Sequence, residues 1–231
     1  MRKAIVLINL VLSTVVLSII ALMVSPFDKR GDAVHNIARF CAMLHLKVCG
    51  IKVSVSGLNH IHNPPYIFMC NHQSALDIYG LLKGLPLPFK WVAKRQLFSI
   101  PFLGWAMKRA GYISLDRENP REALKAIEDA AKRIKNGVNI IIFPEGTRSN
   151  NRRLLPFKKG VFSLAVKAGV PVAPIGIKAT GELQPKDHLL PKGTGTIYIN
   201  IGRPVDIAKG ARTSKAVLMN EVREAIEGLI S

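Results

Sequence analysis

The sequence predicts an α/β fold in which a central, mostly parallel sheet is flanked by helices, with an N-terminal membrane-associating helical pair. From Ile51 onward, short apolar runs typical of buried strands alternate with amphipathic helical patterns. A length of 231 residues, 48% of them hydrophobic, suffices for one such domain with an appendage. Residues 4–24 carry no charged side chain. We therefore expect membrane-anchoring helices over residues 1–50 and the α/β domain over residues 51–231.

The first helix is predicted over residues 4–24, between Arg2-Lys3 and the charged run at residues 28–30. It would be about 31 Å long, enough to cross a hydrocarbon core. A cleaved signal peptide fits less well, because the apolar stretch is too long for one. Polar residues recur at roughly helical spacing, so a helix that enters one leaflet or pairs with its neighbour remains open. They are Asn9, Ser13, Thr14 and Ser18.

The second helix is predicted over residues 32–48 from an apolar stripe, with His35, Arg39 and Lys47 placed elsewhere on its surface. The stripe consists of Val34, Ile37, Ala38, Cys41, Leu44 and Val48. This helix completes the N-terminal pair, or it is a core helix packed on the domain.

The first half of the domain begins with a strand at Ile51 and a buried strand at residues 66–70, which runs into a helix. Residues 89–93 are the next strand. A helix then opens at Pro101 and closes at Gly111, and a strand follows.

The second half begins with Asn119-Pro120, typical of an N-cap followed by a first-turn proline. The helix that follows is expected to bury Leu124, Ile127, Ala131 and Ile134. Residues 138–143 form the clearest buried strand. The remaining predicted elements are a helix at residues 161–168, strands at 172–177 and 196–201, and a helix at 214–230.

A polar cluster, NHQSALD, occupies residues 71–77 at the predicted strand-to-helix turn. His72 and Asp77 can meet if His72 is still in the loop and Asp77 is in the first helical turn. They would then form a general base with an orienting carboxylate. The alternative is a capping box in which Ser74 and Asp77 only satisfy the helix end. Cys70 ends an apolar run and is expected to be a core thiol, so the dyad would activate a substrate hydroxyl.

A second polar cluster, FPEGTRS, occupies residues 143–149 after the clearest strand, where open α/β sheets collect ligands. Gly146 permits close backbone approach, and Arg148 offers a bidentate donor suited to phosphate. Taken alone, the cluster could also be a tight turn with a structural pairing of Glu145 and Arg148.

Composition narrows the partners and the chemistry. The formal charge of +18 indicates anionic partners. An aromatic content of 6%, without aromatic-basic interleaving, argues against nucleic acid. Three cysteines without C-x-x-C spacing indicate neither a disulfide framework nor a structural zinc site. His60 and His62 lack a third ligand nearby, so no metal is expected.

Together, the two clusters resemble the 1-acyl-sn-glycerol-3-phosphate acyltransferase family of glycerophospholipid synthesis. Two further blocks agree: GYISLDR at residues 111–117 and VPVAPIG at residues 170–176. Lys94 after a strand and PFKKG at residues 156–160 are also similar to the family. The resemblance covers about residues 51–205.

The resemblance implies transfer of a fatty acyl group to the sn-2 hydroxyl of lysophosphatidate, giving phosphatidate. The donor would be an acyl thioester of acyl carrier protein or coenzyme A, without cofactor or metal. It further implies a location at the cytosolic face of the cytoplasmic (inner) membrane. His72 would be the general base and Asp77 would orient it. The acceptor site would be formed by Lys94, Arg117, Glu145, Gly146, Thr147 and Arg148.

One residue departs from the family pattern. Ser114 stands where the family usually has Phe or Pro, so a different lysolipid acceptor remains an alternative. Two other hypotheses are carried: a non-catalytic, basic membrane-attached binding module, and a thioesterase in which the dyad activates water.

Overall fold

The computed structural model describes residues 2–116, 119–150, 153–207 and 214–231. Eight α-helices and seven strands form a sandwich within those residues. The helices are α1 Arg2–Val24, α2 Asp32–Cys49, α3 Leu76–Gly84, α4 Leu103–Arg109, α5 Pro120–Lys135, α6 Lys159–Ala168, α7 Thr180–Leu183 and α8 Lys215–Ile230. The strands are β1 Ile51–Ser56, β2 Ile67–Cys70, β3 Phe89–Lys94, β4 Ile113–Leu115, β5 Asn139–Ile142, β6 Val172–Lys178 and β7 Gly195–Ile201.

The seven strands form one sheet in the order β1-β7-β6-β2-β5-β3-β4. All neighbours are parallel except β6 and β7, which are antiparallel. This confirms the mostly parallel sheet. The carboxyl ends of β6, β2, β5, β3 and β4 consequently lie along one edge, which we call the carboxyl edge.

Each face of the sheet carries its own apolar core, because successive side chains of a strand point to opposite faces. In β2, Phe68 and Cys70 join the cluster that includes residues of α2 and α3. Ile67 and Met69 join the cluster that includes residues of α5, α6 and α8. All four side chains are fully buried. The central strands therefore read as continuous apolar runs, as parallel strands covered on both faces do.

The N-terminal helices pack against each other, α2 packs on α3, and α1 also contacts α4. Asn9 Oδ1 lies 3.3 Å from His45 Nδ1, and the Cys41 thiol lies 3.8 Å from Ser13 Oγ. The polar residues of α1 therefore face its neighbour. The helix with its following turn, Arg2–Phe27, contains an 18-residue window with a mean hydropathy of 2.8 and is long and apolar enough to cross a membrane.

Two predictions of burial were wrong. His35 is buried on the domain side of α2, where Nδ1 lies 2.9 Å from the Tyr112 hydroxyl. Leu124 is 56% exposed, because it lies at the margin of the stripe that buries Ala131 and Ile134. The N-cap prediction for α5 is confirmed, since Asn119 Oδ1 accepts hydrogen bonds from the next backbone N–H groups.

Candidate functional site

His72 and Asp77 lie in contact at the carboxyl edge of β2. His72 is in the loop that follows β2, and Asp77 is in the first turn of α3. His72 Nδ1 lies 2.8 Å from Asp77 Oδ2. The Asp77 side chain is fully buried, whereas that of His72 is 15% exposed. Since the carboxylate accepts and the imidazole must donate through Nδ1, the Nε2 atom is left as the basic nitrogen.

The same Asp77 carboxylate also organises the start of α3. Its Oδ2 accepts hydrogen bonds from the backbone N–H of Gln73 at 2.8 Å and of Ser74 at 2.9 Å. Ser74 Oγ accepts from Leu76 N at 3.1 Å, whereas a capping box would have it accept from the N–H of Asp77, one residue further along. The other carboxylate oxygen of Asp77, Oδ1, is buried and has no hydrogen-bond partner among the described residues. Capping and orientation of the imidazole are therefore two roles of one carboxylate.

Stacking of the His72 ring links the first polar cluster to the second. It lies on the ring of Phe143, with a centroid distance of 3.9 Å and an interplanar angle of 10°. Phe143 stacks in turn on Trp91 of β3, at 5.8 Å and 24°. The sequence alone did not indicate this role for Phe143. The adjacency of β2 and β5 in the sheet, which places residue 143 beside residue 72, was the missing information.

Glu145 fixes the backbone at His72. Its Oε1 accepts a hydrogen bond from His72 N at 2.8 Å, and its Oε2 accepts one from Leu155 N at 2.8 Å. The His72 carbonyl in turn accepts from Ser149 N at 2.8 Å. Burial raises the pKa of Glu145, while the hydrogen bonds from Leu155 and His72 act in the opposite direction. Glu145 thus contacts the protein backbone with both oxygens.

The rest of the second cluster forms a turn that opens outward. Gly146 has a φ of 76°, a left-handed conformation that disfavours other residues, and its N–H donates to Phe143 O at 3.0 Å. Thr147 is exposed and Arg148 is half-buried. Thr147 and Arg148 are therefore the polar side chains of the cluster that are at least partly exposed.

Asn71 anchors the other side of the first cluster. Its Nδ2 donates to the Ile177 carbonyl at 2.9 Å and its Oδ1 accepts from Ile177 N at 2.7 Å. The fully buried side chain therefore continues the pairing of β2 with β6 beyond the last strand residue. His72 is consequently held from β6 on one side and from the 143–149 turn on the other.

Lys94, another residue predicted for the acceptor site, lies along the same edge. Lys94 is exposed at the carboxyl end of β3, which pairs with β5. Arg117 lies outside the described residues. Ser114 is exposed on β4, and Asp116 just beyond it pairs with Arg95 at 2.8 Å.

Cys70 is excluded as a nucleophile. It is fully buried, and burial raises the pKa of its thiol well above the ordinary value. Within the described ranges, no group of three or more His, Cys, Asp or Glu side chains has the arrangement of a metal site.

A family model described as Acyltransferase matches residues 52–178. The chain is 35% identical to the chloroplastic 1-acyl-sn-glycerol-3-phosphate acyltransferase LPAT1 of Arabidopsis thaliana, over 89% of this chain and 56% of that protein. It is 37% identical to the 1-acyl-sn-glycerol-3-phosphate acyltransferase of Pseudomonas aeruginosa, over 87% of this chain and 77% of that protein. The chain thus spans little more than half the length of the chloroplastic relatives.

A solved structure extends the likeness to the whole chain. The crystal structure of the 1-acyl-sn-glycerophosphate acyltransferase PlsC from Thermotoga maritima superposes with a TM-score of 0.78 at 29% identity. The match covers 99% of this chain and 96% of that one, so it includes both N-terminal helices.

Proposed function

This chain belongs to the 1-acyl-sn-glycerol-3-phosphate acyltransferase family, and we propose that it acylates the sn-2 hydroxyl of 1-acyl-sn-glycerol-3-phosphate to give phosphatidate. The donor is an acyl thioester, carried by acyl carrier protein or by coenzyme A. The observation that carries the proposal is the 2.8 Å contact of His72 Nδ1 with buried Asp77, on a loop clamped by Glu145.

The arrangement supports direct transfer between the two substrates. His72 Nε2 takes the proton of the acceptor hydroxyl, and Asp77 stabilises the imidazolium that forms. The acceptor oxygen attacks the thioester carbonyl. When the tetrahedral intermediate collapses, the carbon–sulfur bond breaks and the leaving thiolate takes the proton back from His72. Ser74 is committed to the Leu76 N–H and to Gln184, at 3.4 Å, which leaves the substrate hydroxyl as the nucleophile.

The acceptor phosphate is assigned to the cationic side chains of the carboxyl edge. Lys94 ends β3, Arg148 lies in the turn that follows the neighbouring strand β5, and both side chains are at least partly exposed. Gly146 and Thr147 lie in the turn that carries Arg148, and the resemblance adds Arg117, which lies outside the described residues, to the same set. Glu145 contributes to the site indirectly, because it accepts hydrogen bonds from the backbone N–H groups of His72 and Leu155. Cations there attract the phosphate while His72 receives the hydroxyl.

The N-terminal pair is proposed to hold the enzyme in one leaflet at the cytosolic face of the cytoplasmic membrane. Both ends of α1 are tied to α2, since Arg2 donates to Cys49 O at 2.9 Å and Asp28, just after the turn that follows α1, accepts from Val34 N at 2.9 Å. Helix α1 also packs on α4 of the domain. A helix held in this way lies along the domain with its outer apolar face free for lipid. That face exposes Ile5, Ile8, Val11, Leu12, Val16 and Met23, and the turn that follows α1 adds exposed Phe27.

A second exposed apolar group follows β3 and continues this surface, because α4 packs on α1. We call it the β3–α4 corner. It consists of Leu97, Ile100, Phe102 and Trp105. Lys94 lies at its border with the carboxyl edge, so a lipid acceptor in the leaflet would have its phosphate near the dyad.

The test is formation of labelled phosphatidate by the protein in detergent from lysophosphatidate and a labelled acyl thioester. Donors on acyl carrier protein and on coenzyme A are compared, and a panel of other lysolipids is run beside lysophosphatidate. Preferred acylation of lysophosphatidate supports the proposal. Transfer only to another lysolipid would overturn the acceptor and implicate Ser114. Acyl release without any transfer would indicate a thioesterase.

A further inference from the structure

We propose that Arg223 of α8 is a positioning residue for His72, acting through the segment at residues 154–155 and through Glu145. This inference rests on the proposed acyl transfer for its readout. It assigns a role to a helix that lies outside the residues matched by the family model.

Arg223 holds residues 154–155 through hydrogen bonds to their carbonyl groups. Its Nη1 donates to Leu155 O and its Nη2 donates to Leu154 O, each at 3.1 Å. Its Nε forms an ion pair with Glu227 Oε1 at 3.0 Å, and the guanidinium lies 5.4 Å from the centroid of the Phe157 ring. A rigid planar fork with partners on three nitrogens and one ring face holds a single orientation.

The second step passes through one residue of that segment. Leu155 accepts from Arg223 through its carbonyl and donates through its N–H to Glu145 Oε2. Both backbone polar groups of Leu155 are therefore used in this chain of contacts. The other oxygen of Glu145 accepts from His72 N at 2.8 Å.

The third step concerns what happens when the segment shifts. The Glu145 carboxylate is 1% exposed and is stabilised by two backbone N–H groups. Loss of the Leu155 N–H leaves a buried anion with half of these hydrogen bonds, which favours its protonation or displacement. Either change weakens the hydrogen bond that fixes the backbone of His72. A small displacement of a reacting group lowers the rate of the reaction.

The side chain of Arg223 is separable from the packing of its helix. The buried face of α8 consists of Leu218, Val222 and Ile226, which are fully buried in the core beneath the sheet. Arg223 itself is one-third exposed. Replacing Arg223 should therefore remove the hydrogen bonds to residues 154–155 while α8 stays packed against the core.

The experiment compares Arg223→Gln with two controls in the phosphatidate assay. Glu227→Gln removes the ion pair of Arg223 but not its hydrogen bonds to the segment. Arg133→Gln removes a similar bond, from Nη1 to Gly111 O at 2.6 Å, at the opposite edge of the sheet. We expect Arg223→Gln to lower kcat about tenfold with KM for the acceptor changed less than about twofold. Both controls should retain the wild-type kcat, and all thermal midpoints should stay similar.

A double-mutant cycle with Glu145→Gln tests the route. If Arg223 acts through Glu145, the double variant loses little more than Glu145→Gln alone. Multiplicative losses, an unchanged kcat for Arg223→Gln, or a loss that follows thermal destabilisation would overturn the inference. An inactive wild-type protein would instead overturn the proposed function, so the two failures are distinguishable.

Discussion

His72 Nδ1 lies 2.8 Å from Asp77 Oδ2, although the two residues are five positions apart in the chain. In one continuous helix they would point about 140° apart. They meet because α3 begins at Leu76, which leaves His72 in the loop and Asp77 in the first turn. The start of the helix is thus part of the geometry of the dyad.

Asp77→Asn should separate orientation of the imidazole from capping. The amide oxygen can still accept from Gln73 N and Ser74 N, so the fold should be retained. The amide cannot stabilise an imidazolium, and we expect kcat to fall about 10²- to 10⁴-fold. Steady-state kinetics measure this loss. Ser74→Ala removes the cap contact with Leu76 N and the 3.4 Å contact with Gln184 but leaves Asp77 in place, so it serves as the control. Equal losses in both variants would contradict the orienting role.

Lys94→Gln and Arg148→Gln should each raise KM for lysophosphatidate about tenfold or more, with a smaller effect on kcat, because each removes a charged donor to the phosphate. Lys83→Gln, an exposed cation on α3, is the matched control. The decisive comparison uses a monoacylglycerol acceptor without phosphate. If its KM rose equally in the variants, these residues would not bind the phosphate.

The β3–α4 corner gives a fluorescence prediction. The chain has two tryptophans, of which Trp105 is 50% exposed and Trp91 is 6% exposed. With vesicles of phosphatidylglycerol and phosphatidylcholine that carry brominated chains, the emission should be quenched, because interfacial tryptophan contacts the acyl region. Trp105→Phe should lose most of this quenching. Equal quenching in Trp105→Phe and wild type would place the corner away from lipid.

His35 predicts a loss of stability in acid. Burial, followed by the nearby charges of Lys90 and Arg39, lowers the pKa of His35 from 6.5 to about 4. The unfolded chain therefore binds this proton first as the pH falls below 6.5. The free energy of unfolding should be at its full value above pH 6.5 and fall by up to about 3 kcal/mol as the pH approaches 4.

The check is urea unfolding of wild type and His35→Asn in detergent across that pH range. Between pH 6.5 and 4, the free energy of unfolding should fall less steeply with pH in the variant than in wild type, with a slope that corresponds to about one proton fewer. Between pH 7 and 8 the two profiles should run parallel. Identical slopes below pH 6.5 would mean that His35 gains its proton in the folded protein.

The features that the sequence predicted are the local ones. Apolar runs identified the buried strands, and the spacing of His72 and Asp77 with the intervening Ser74 identified the loop-to-helix turn. Each of these depends on residues a few positions apart, within reach of periodicity and capping rules.

The features that it did not predict depend on partners far along the chain. His35 is buried because Tyr112 supplies a hydroxyl 77 positions away. Glu145 was assigned to the acceptor site by resemblance, yet both its oxygens contact backbone N–H groups of His72 and Leu155. Which N–H groups meet a given carboxylate follows from the strand order, which hydrophobic patterning does not specify.

The most direct test of the central claim is acyl transfer to lysophosphatidate by His72→Ala beside wild type, with folding verified by the thermal midpoint. The central claim is that His72 activates the acceptor hydroxyl. Wild type should form phosphatidate, and the folded variant should be slower by about 10²- to 10⁴-fold in kcat. A folded His72→Ala protein that forms phosphatidate at the wild-type rate would contradict the account.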